Sequence, residues 1–502
     1  MLKNSLDRLS ARFPRIGRVL EWCGRRKKRV IAAAVLLMHV LGAISSVNAV
    51  MSTRTSQGAI AWAVSLNTFP WVAVPAYWVF GYSTFDGYEI LRLREQHEVS
   101  GAKKKMIEEL QRNGMLIEPQ TGQEQNRVQL LQNLAGMPLT RYNDVDLLID
   151  GEQTFEAIIA GINRAREYVL VEFYIFRSDA LGKRIQAALL AKAKEGVRVY
   201  MLYDGLGSRS IDPDFVAELQ QAGVVVHAFQ TTDSDNRFRM NFRNHRKIVV
   251  VDGREGFVGG HNVGDEYMGL DPVLTPWRDT HVAFRGPVVL AAQAAFVEDW
   301  QWAADEIPDL NWTPERAPEG DAVAVCLPTG PADEFETGTL MMLDLINSAR
   351  TRLWIASPYF VPDEQVLSAL QLAALRGVDV RVLIPENNDD ALVDLTSWAY
   401  LEDLERVGIR CYRYQPGFMH QKVILIDDST AAVGTANFDN RSMRLNFEIT
   451  MLFGEEEFAG EVEQMLEDDF TRSRQVKASE YSDSSLLFRF GVRAARLLAP
   501  VQ

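Results

Sequence analysis

The chain predicts an α/β protein, built as two similar α/β domains packed as a pseudo-two-fold pair and preceded by a helical membrane hairpin. Three observations predict it. A His-x-Lys-x4-Asp run occurs twice, 175 residues apart, as His245, Lys247, Asp252 and as His420, Lys422, Asp427. The same strand–helix–strand order surrounds each copy, which marks an internal repeat with α/β architecture. Two uncharged stretches near the start, 30–50 and 58–82, are each long enough to cross a hydrocarbon core.

Composition sets the outer limits. With 502 residues, 47% hydrophobic and 24% charged, the chain is ordered and large enough for two or three domains. Its net charge of −14 is unevenly spread, because residues 1–29 carry ten Lys or Arg against Asp7 and Glu21. That segment is +8, leaving −22 for the rest. A basic tip on an acidic body favours an anionic lipid surface and argues against nucleic acid, which would want a basic catalytic face. Cys23, Cys326 and Cys411 lie far apart without metal-type spacing, so they read as free thiols in a reducing compartment.

In chain order, Leu2, Leu6, Leu9, Phe13, Ile16 and Leu20 recur at helical spacing between arginines, as expected of a helix lying in the lipid interface. Segment 30–50 follows as a first membrane helix. Segment 58–82 follows as a second, kinked at Pro70 and Pro75 and carrying an awkward Asn67. Arg25–Arg29 before the pair and Lys103–Lys105 after it put both ends in the cytoplasm by the positive-inside rule. A signal peptide ending near Val47-Asn48-Ala49 is the competing reading, but the basic lead is long for one and a second apolar segment follows at once.

Region 83–138 is a polar connector with helical runs around Lys103–Arg112 and Glu124–Leu134. The first domain is placed at 139–320 and the second at 321–480. First strands are read at 166–174 and 352–360, second strands at 196–202 and 377–383, and third strands at 224–229 and 410–414. Helices are expected between them at 181–195, 213–222, 363–376 and 391–407. At 484–502, Leu487, Phe490, Ala494, Leu497 and Leu498 form one stripe and Arg489, Arg493 and Arg496 another. This suits an interfacial helix or, equally, an amphipathic helix packed on the body.

The paired motifs carry the chemistry. On a strand, residues i and i+2 share a face, so each imidazole projects with its ammonium. Two facing copies permit one site in which one histidine attacks phosphorus and the other serves as acid and then base. Lys247 and Lys422, with Asn262 and Asn437 17 residues after each histidine, would hold the non-bridging oxygens. Two ammonium groups make a metal unnecessary, nothing resembles a metal cage, and no cofactor is expected. Asp279, 34 residues after His245, and Glu448, 28 after His420, are candidates to hold the other ring nitrogens. Asp252 and Asp427 complete the catalytic motif set but are expected to cap the turn after each strand. His39, His97 and His227 read as structural, while His261 and His281 sit near the site without a clear part in it.

These motifs resemble the phospholipase D superfamily over roughly 140–480, so phospholipase D-like domains are expected. Within it, Asn241–Lys247, Ser357–Pro362, Gly434–Ser442 and Asn446-Phe447-Glu448 look like the bacterial cardiolipin synthases. The resemblance implies transfer of a phosphatidyl group between two phosphatidylglycerol molecules with release of glycerol. It implies His245 as nucleophile, His420 as general acid, and Asp279 and Glu448 as the histidines' partners. It also implies phosphatidylglycerol, other anionic phospholipids and the bilayer of a bacterial inner membrane as partners; no oligomeric state is read from it. Met419-His420-Gln421-Lys422 departs from the usual Leu-His-Thr-Lys, with Gln421 expected to point away from the site. A hydrolase handing the same intermediate to water, or a transphosphatidylase using another lipid such as phosphatidylethanolamine, is the alternative.

Overall fold

The computed structural model describes residues 27–53, 56–81, 85, 88, 98–230 and 241–499. It separates into a small unit holding the N-terminal apolar helices and a large α/β unit. The expected interfacial helix over 1–24 lies outside the described residues.

In the small unit, helix Lys27–Ser52 is 26 residues long, about 39 Å at roughly 1.5 Å per residue, enough to cross a bilayer core. The second apolar stretch is not the single helix expected at 58–82. It breaks into Ser56–Thr68 and Pro70–Phe80, with Phe69 between them outside helical geometry. Pro70, at the start of the second piece, cannot donate into the preceding turn, so the break falls there, whereas Pro75 sits inside the helix. Among the described residues only Lys27–Ser52 is long and apolar enough to span. Several polar side chains of this unit bond within and across the helices. Asn67 donates to Ser46 Oγ (2.7 Å) and Ala63 O (2.8 Å), and Tyr77 to Asn48 Oδ1 (2.7 Å). Gly42 permits the approach, since a Cβ there would lie 2.2 Å from the Leu66 carbonyl oxygen.

Among the described residues the large unit has twenty strands. Its first half contains β1 (Thr140–Ile149), β2 (Tyr168–Phe173), β3 (Arg198–Asp204), β4 (Val225–Phe229) and β5 (Arg243–Asn244). It continues with β6 (Ile248–Val251), β7 (Glu255–Gly259), β8 (Trp277–Arg278) and β9 (Thr280–Arg285). The second half contains β10 (Ala322–Thr329), β11 (Arg352–Ala356), β12 (Phe360–Val361), β13 (Asp379–Pro385), β14 (Arg410–Tyr414) and β15 (Phe418–Met419). It ends with β16 (Val423–Ile426), β17 (Thr430–Gly434), β18 (Phe438–Asp439), β19 (Asn446–Gly454) and β20 (Ser473–Val476).

One sheet runs through both halves. Outward from an antiparallel β1–β10 junction, the order is β9-β7-β6-β2-β3-β4 on one side and β19-β17-β16-β11-β13-β14 on the other, with β20 added at that edge. The two orders match strand for strand, which is the pseudo-two-fold. Each half is mixed. β2, β3 and β4, like β11, β13 and β14, are parallel and joined by helical crossovers, as the sequence order requires. The motif strands β6 and β16 instead start hairpins, because three-residue turns at 252–254 and 427–429 are too short for a crossover. β2, β6 and β16 are buried throughout, which is why β6 and β16 are continuous apolar runs and β2 is broken only by the buried Glu172. Helix Val289–Ala304 was not anticipated. It is buried on almost every face, so it shows no amphipathic stripe.

Candidate active site

Each motif is strapped to the opposite half. β5, just before His245, pairs in parallel with the start of β19, and His245 N–H donates to Phe447 O at 2.9 Å. β15, just before His420, pairs in parallel with β8, and His420 N–H donates to Arg278 O at 2.7 Å. In each case the next residue along the partner strand is the carboxylate. His245 Nδ1 therefore meets Glu448 at 2.9 Å, and His420 Nδ1 meets Asp279 at 2.8 Å. Spacing along the chain had associated each histidine with the carboxylate downstream in its own half. The structure exchanges them, because the register of two short parallel strands, not chain distance, decides which carboxylate arrives.

The two dyads differ in support. Glu448 also accepts from Thr435 Oγ1 (2.6 Å), Ser442 Oγ (2.8 Å) and Asn446 Nδ2 (3.1 Å). Burial acts to raise its pKa, but His245, Lys247 and the Thr435 hydroxyl outweigh it and hold Glu448 below the ordinary glutamate value. Asp279 accepts from Thr280 N–H (2.8 Å) and, more distantly, from the Trp277 indole (3.5 Å). Both lysines fold back so that Nζ donates to the carbonyl of their own histidine, at 2.7 Å for Lys247 and 2.5 Å for Lys422. An ammonium has three donors, so each can also reach an oxygen between the motifs.

Burial and mutual repulsion tune this cluster. Burial, with the two lysines adding to it, pushes His245 down to about 4, despite Glu448. His420 falls well below its ordinary value through burial and the charges of Lys422, Lys247 and His245. Lys247 drops to about 7 and Lys422 to about 8, in both cases chiefly through burial. Both imidazoles are thus neutral in the empty site near pH 7.

The sign of the pH dependence follows. Below about 4 His245 is protonated, while above about 7 to 8 the two lysines lose their charge. We expect kcat/KM, which reports the free enzyme, to be bell-shaped with its alkaline limb set by lysines and not by an imidazole. A profile from pH 4 to 10 checks this, and a plateau extending past pH 9 would contradict it.

Asn262 and Asn437 are not equivalent. Asn262 accepts from Ile175 N–H (3.0 Å) and donates to Tyr267 Oη (3.0 Å). Asn437 Oδ1 is buried with no hydrogen-bond partner among the described residues. Asp252 and Asp427 leave the catalytic set. The Asp252 carboxylate accepts from the N–H groups of Arg166, Glu167 and Tyr168, each at 2.8 Å. Asp427 does the same for Arg350, Thr351 and Arg352. They clamp the start of the neighbouring strand instead of capping the turn after their own, from left-handed backbone positions at φ 54° and 53°. Asp252→Ala orphans three donors and should cost roughly 3 kcal/mol of stability, with chemistry retained in the folded fraction. Thermal melts paired with kcat check this; an intact melting temperature with lost turnover would return Asp252 to the site.

Gln421 has a structural explanation. Two long helices each place a buried aspartate beneath a motif, Asp299 from Val289–Ala304 and Asp469 from Glu456–Thr471. In the first half Arg246, between His245 and Lys247, pairs Asp299 at 2.7 Å and lies over the Phe447 ring. In the second half Arg278 pairs Asp469 at 2.9 Å, and Gln421 donates to the same carboxylate at 2.8 Å. Arg246 comes from the motif itself, whereas Asp469 takes its countercharge from Arg278 on β8 and from Arg472 at 2.7 Å. Where Arg278 supplies the charge, the motif needs only an amide.

Residues not singled out as functional also enter the site. The Tyr174 ring stands edge-on to His245 at 4.9 Å and beneath Lys247 Nζ at 5.5 Å. Trp277 lies 5.3 Å from the His420 ring. Tyr174 follows directly after β2, at the end of a parallel strand where ligand sites form, a signal present in the sequence. His261 and His281 do not line the site. They are buried against each other, Nδ1 to Nδ1 3.2 Å. No group of three or more metal-ligating side chains occurs among the described residues.

Two matching halves on one sheet, with paired His-Lys motifs leading into the matching strands β6 and β16, define a protein of the phospholipase D class. The family described as "Cardiolipin synthase, PLD-like domain" matches residues 158–271 and 342–470. Cardiolipin synthase A of Pseudomonas fluorescens is 48% identical over 471 residues, spanning 93% of this chain and 97% of that one. Cardiolipin synthase A of Pseudomonas putida is 47% identical over 469 residues, with the same coverage of each. The crystal structure of phosphatidylserine synthase from Haemophilus influenzae shares the fold, with a TM-score of 0.57 at 14% identity over 74% of this chain and 99% of that one. The chain belongs to the bacterial cardiolipin synthase family of the phospholipase D superfamily, and is a phosphatidyltransferase of that type.

Proposed function

We propose that the chain condenses two phosphatidylglycerol molecules into cardiolipin and glycerol through a phosphatidyl group carried on His245. His245 Nε2 attacks phosphorus, the bond to the headgroup glycerol breaks, and His420 gives the leaving oxygen a proton. His420 then takes the proton from the hydroxyl of a second phosphatidylglycerol, whose oxygen attacks phosphorus and releases His245. Lys247 and Lys422 hold the non-bridging oxygens throughout. The observation that carries this reading is the exchanged pair of histidine–carboxylate dyads around two buried lysines. His245 suits the covalent role because Glu448, ionised and held by three further donors, stabilises the imidazolium formed on attack.

Lys27–Ser52 supports anchoring in the bacterial cytoplasmic membrane, and the flanking positive charge supports catalytic domains on the cytoplasmic side. The test is purified enzyme with phosphatidylglycerol in liposomes and mass spectrometry of the products. Cardiolipin with equimolar glycerol is expected. Phosphatidic acid alone would replace this reading with a hydrolase, and turnover only when phosphatidylethanolamine is added would replace the donor.

A further inference from the structure

The C-terminal helix Leu486–Arg496 has two apolar faces. At about 100° per residue, Phe488, Val492 and Ala495 share one side, and this is the side packed on the body. Val492 and Ala495 are buried, and Phe488 meets Trp398 edge-on at 5.9 Å. Leu487, Phe490 and Leu497 lie on another side and are 80%, 69% and 81% exposed. Arg489, Arg493 and Arg496 run between the two faces. Packing on the body therefore uses only one apolar face. The stripe that the sequence marks as amphipathic is the one turned outward, at a cost of exposed apolar area that a soluble surface does not explain.

The helix is connected to the second motif through one intervening element. It packs on helix Ala391–Ser397, which is capped by Asp390. The adjacent Asp389 accepts from Tyr359 Oη at 2.8 Å, within electrostatic reach of Lys422. On the His420 side, the loop leading to Trp277 exposes Leu270 and Val273. Exposed apolar groups thus occur on the C-terminal helix and on the loop before Trp277, and arginines line the helix on a chain of net charge −14.

We propose that the outward face of Leu486–Leu498 seats in the interfacial layer of an anionic phospholipid bilayer and aims the mouth of the active site at the lipid headgroups. Leucine and phenylalanine side chains enter the acyl boundary while the flanking arginines meet lipid phosphates. The role is orientation: a chain already anchored elsewhere still has to present this rim to the surface.

This rests on the lipid reading of the site, so the test has one arm independent of product identity. Full-length Leu487→Cys in a Cys23→Ser background, labelled with a fluorophore and reconstituted in phosphatidylglycerol vesicles, should be quenched by acyl-brominated lipid and protected from aqueous iodide. A label at exposed Gln464 should show the reverse. Iodide quenching at 487 equal to that at 464 overturns the proposal whatever the enzyme makes. In the second arm, Leu487→Ser/Phe490→Ser should lower turnover of vesicle phosphatidylglycerol at least about five-fold, yet leave turnover of a short-chain monomeric analogue within about two-fold. Equal losses on both substrates, or no loss on vesicles, would overturn it. Protected label with no lipid product from any substrate would leave the docking surface standing and remove the proposed function instead.

Discussion

His245→Ala and His420→Ala each lower phosphatidyl transfer by at least about 10⁴-fold, which is roughly 5 kcal/mol or more of transition-state stabilisation. The two losses differ in kind. Without His245 no covalent intermediate forms, so no phosphatidyl group becomes attached to protein under any condition. Without His420 the first step lacks its acid, but a diester with a leaving group of low pKa does not need one. His420→Ala given such a substrate should accumulate phosphatidyl-enzyme, because the acceptor hydroxyl then has no base. The linkage should be acid-labile, as expected of phosphorus on nitrogen. Quench-flow with a labelled acyl chain and mass spectrometry of the peptide containing His245 would measure it. Substantial turnover by either variant, or label on protein in His245→Ala, would remove the two-histidine division of labour.

Glu448→Gln lowers kcat by about 10³-fold, about 4 kcal/mol, and Asp279→Asn by less. Glutamine keeps the volume but cannot balance the charge on a phosphorylated imidazolium, and its amide can force His245 into the wrong tautomer. Its effect is the larger because Glu448 is the carboxylate fixed by Thr435, Ser442 and Asn446. The exchange between halves makes the prediction specific. Glu448→Gln should shift the imidazole NMR signals of His245 and leave those of His420 nearly unchanged, with Asp279→Asn doing the opposite. The reverse pattern would mean that each histidine is held by its own half.

Much of this was legible in the chain. The strands read at 166–174 and 352–360 contain β2 and β11, and the crossover helices between the repeats form where the apolar periodicity put them. These are local properties, set by strand and helix periods. The kink expected at Pro70 is a full break, since Pro70 begins a new helix after Phe69 leaves helical geometry. Helix Val289–Ala304 was missed, since burial on all sides erases the stripe that marks a helix.

The sequence by itself determined the repeat: two His-x-Lys-x4-Asp copies leading into matching strands point to one shared site built from two halves. Only the tertiary structure decided who partners whom. Glu448 reaches His245 and Asp279 reaches His420 because β5–β19 and β8–β15 pair across the halves. It also removed Asp252 and Asp427 from the site and turned the C-terminal apolar stripe outward. The physical reason is common to all of these. A side chain's identity and its period along the chain are local, whereas hydrogen-bond partners and exposed faces depend on registers between segments up to some two hundred residues apart, which local pattern does not encode.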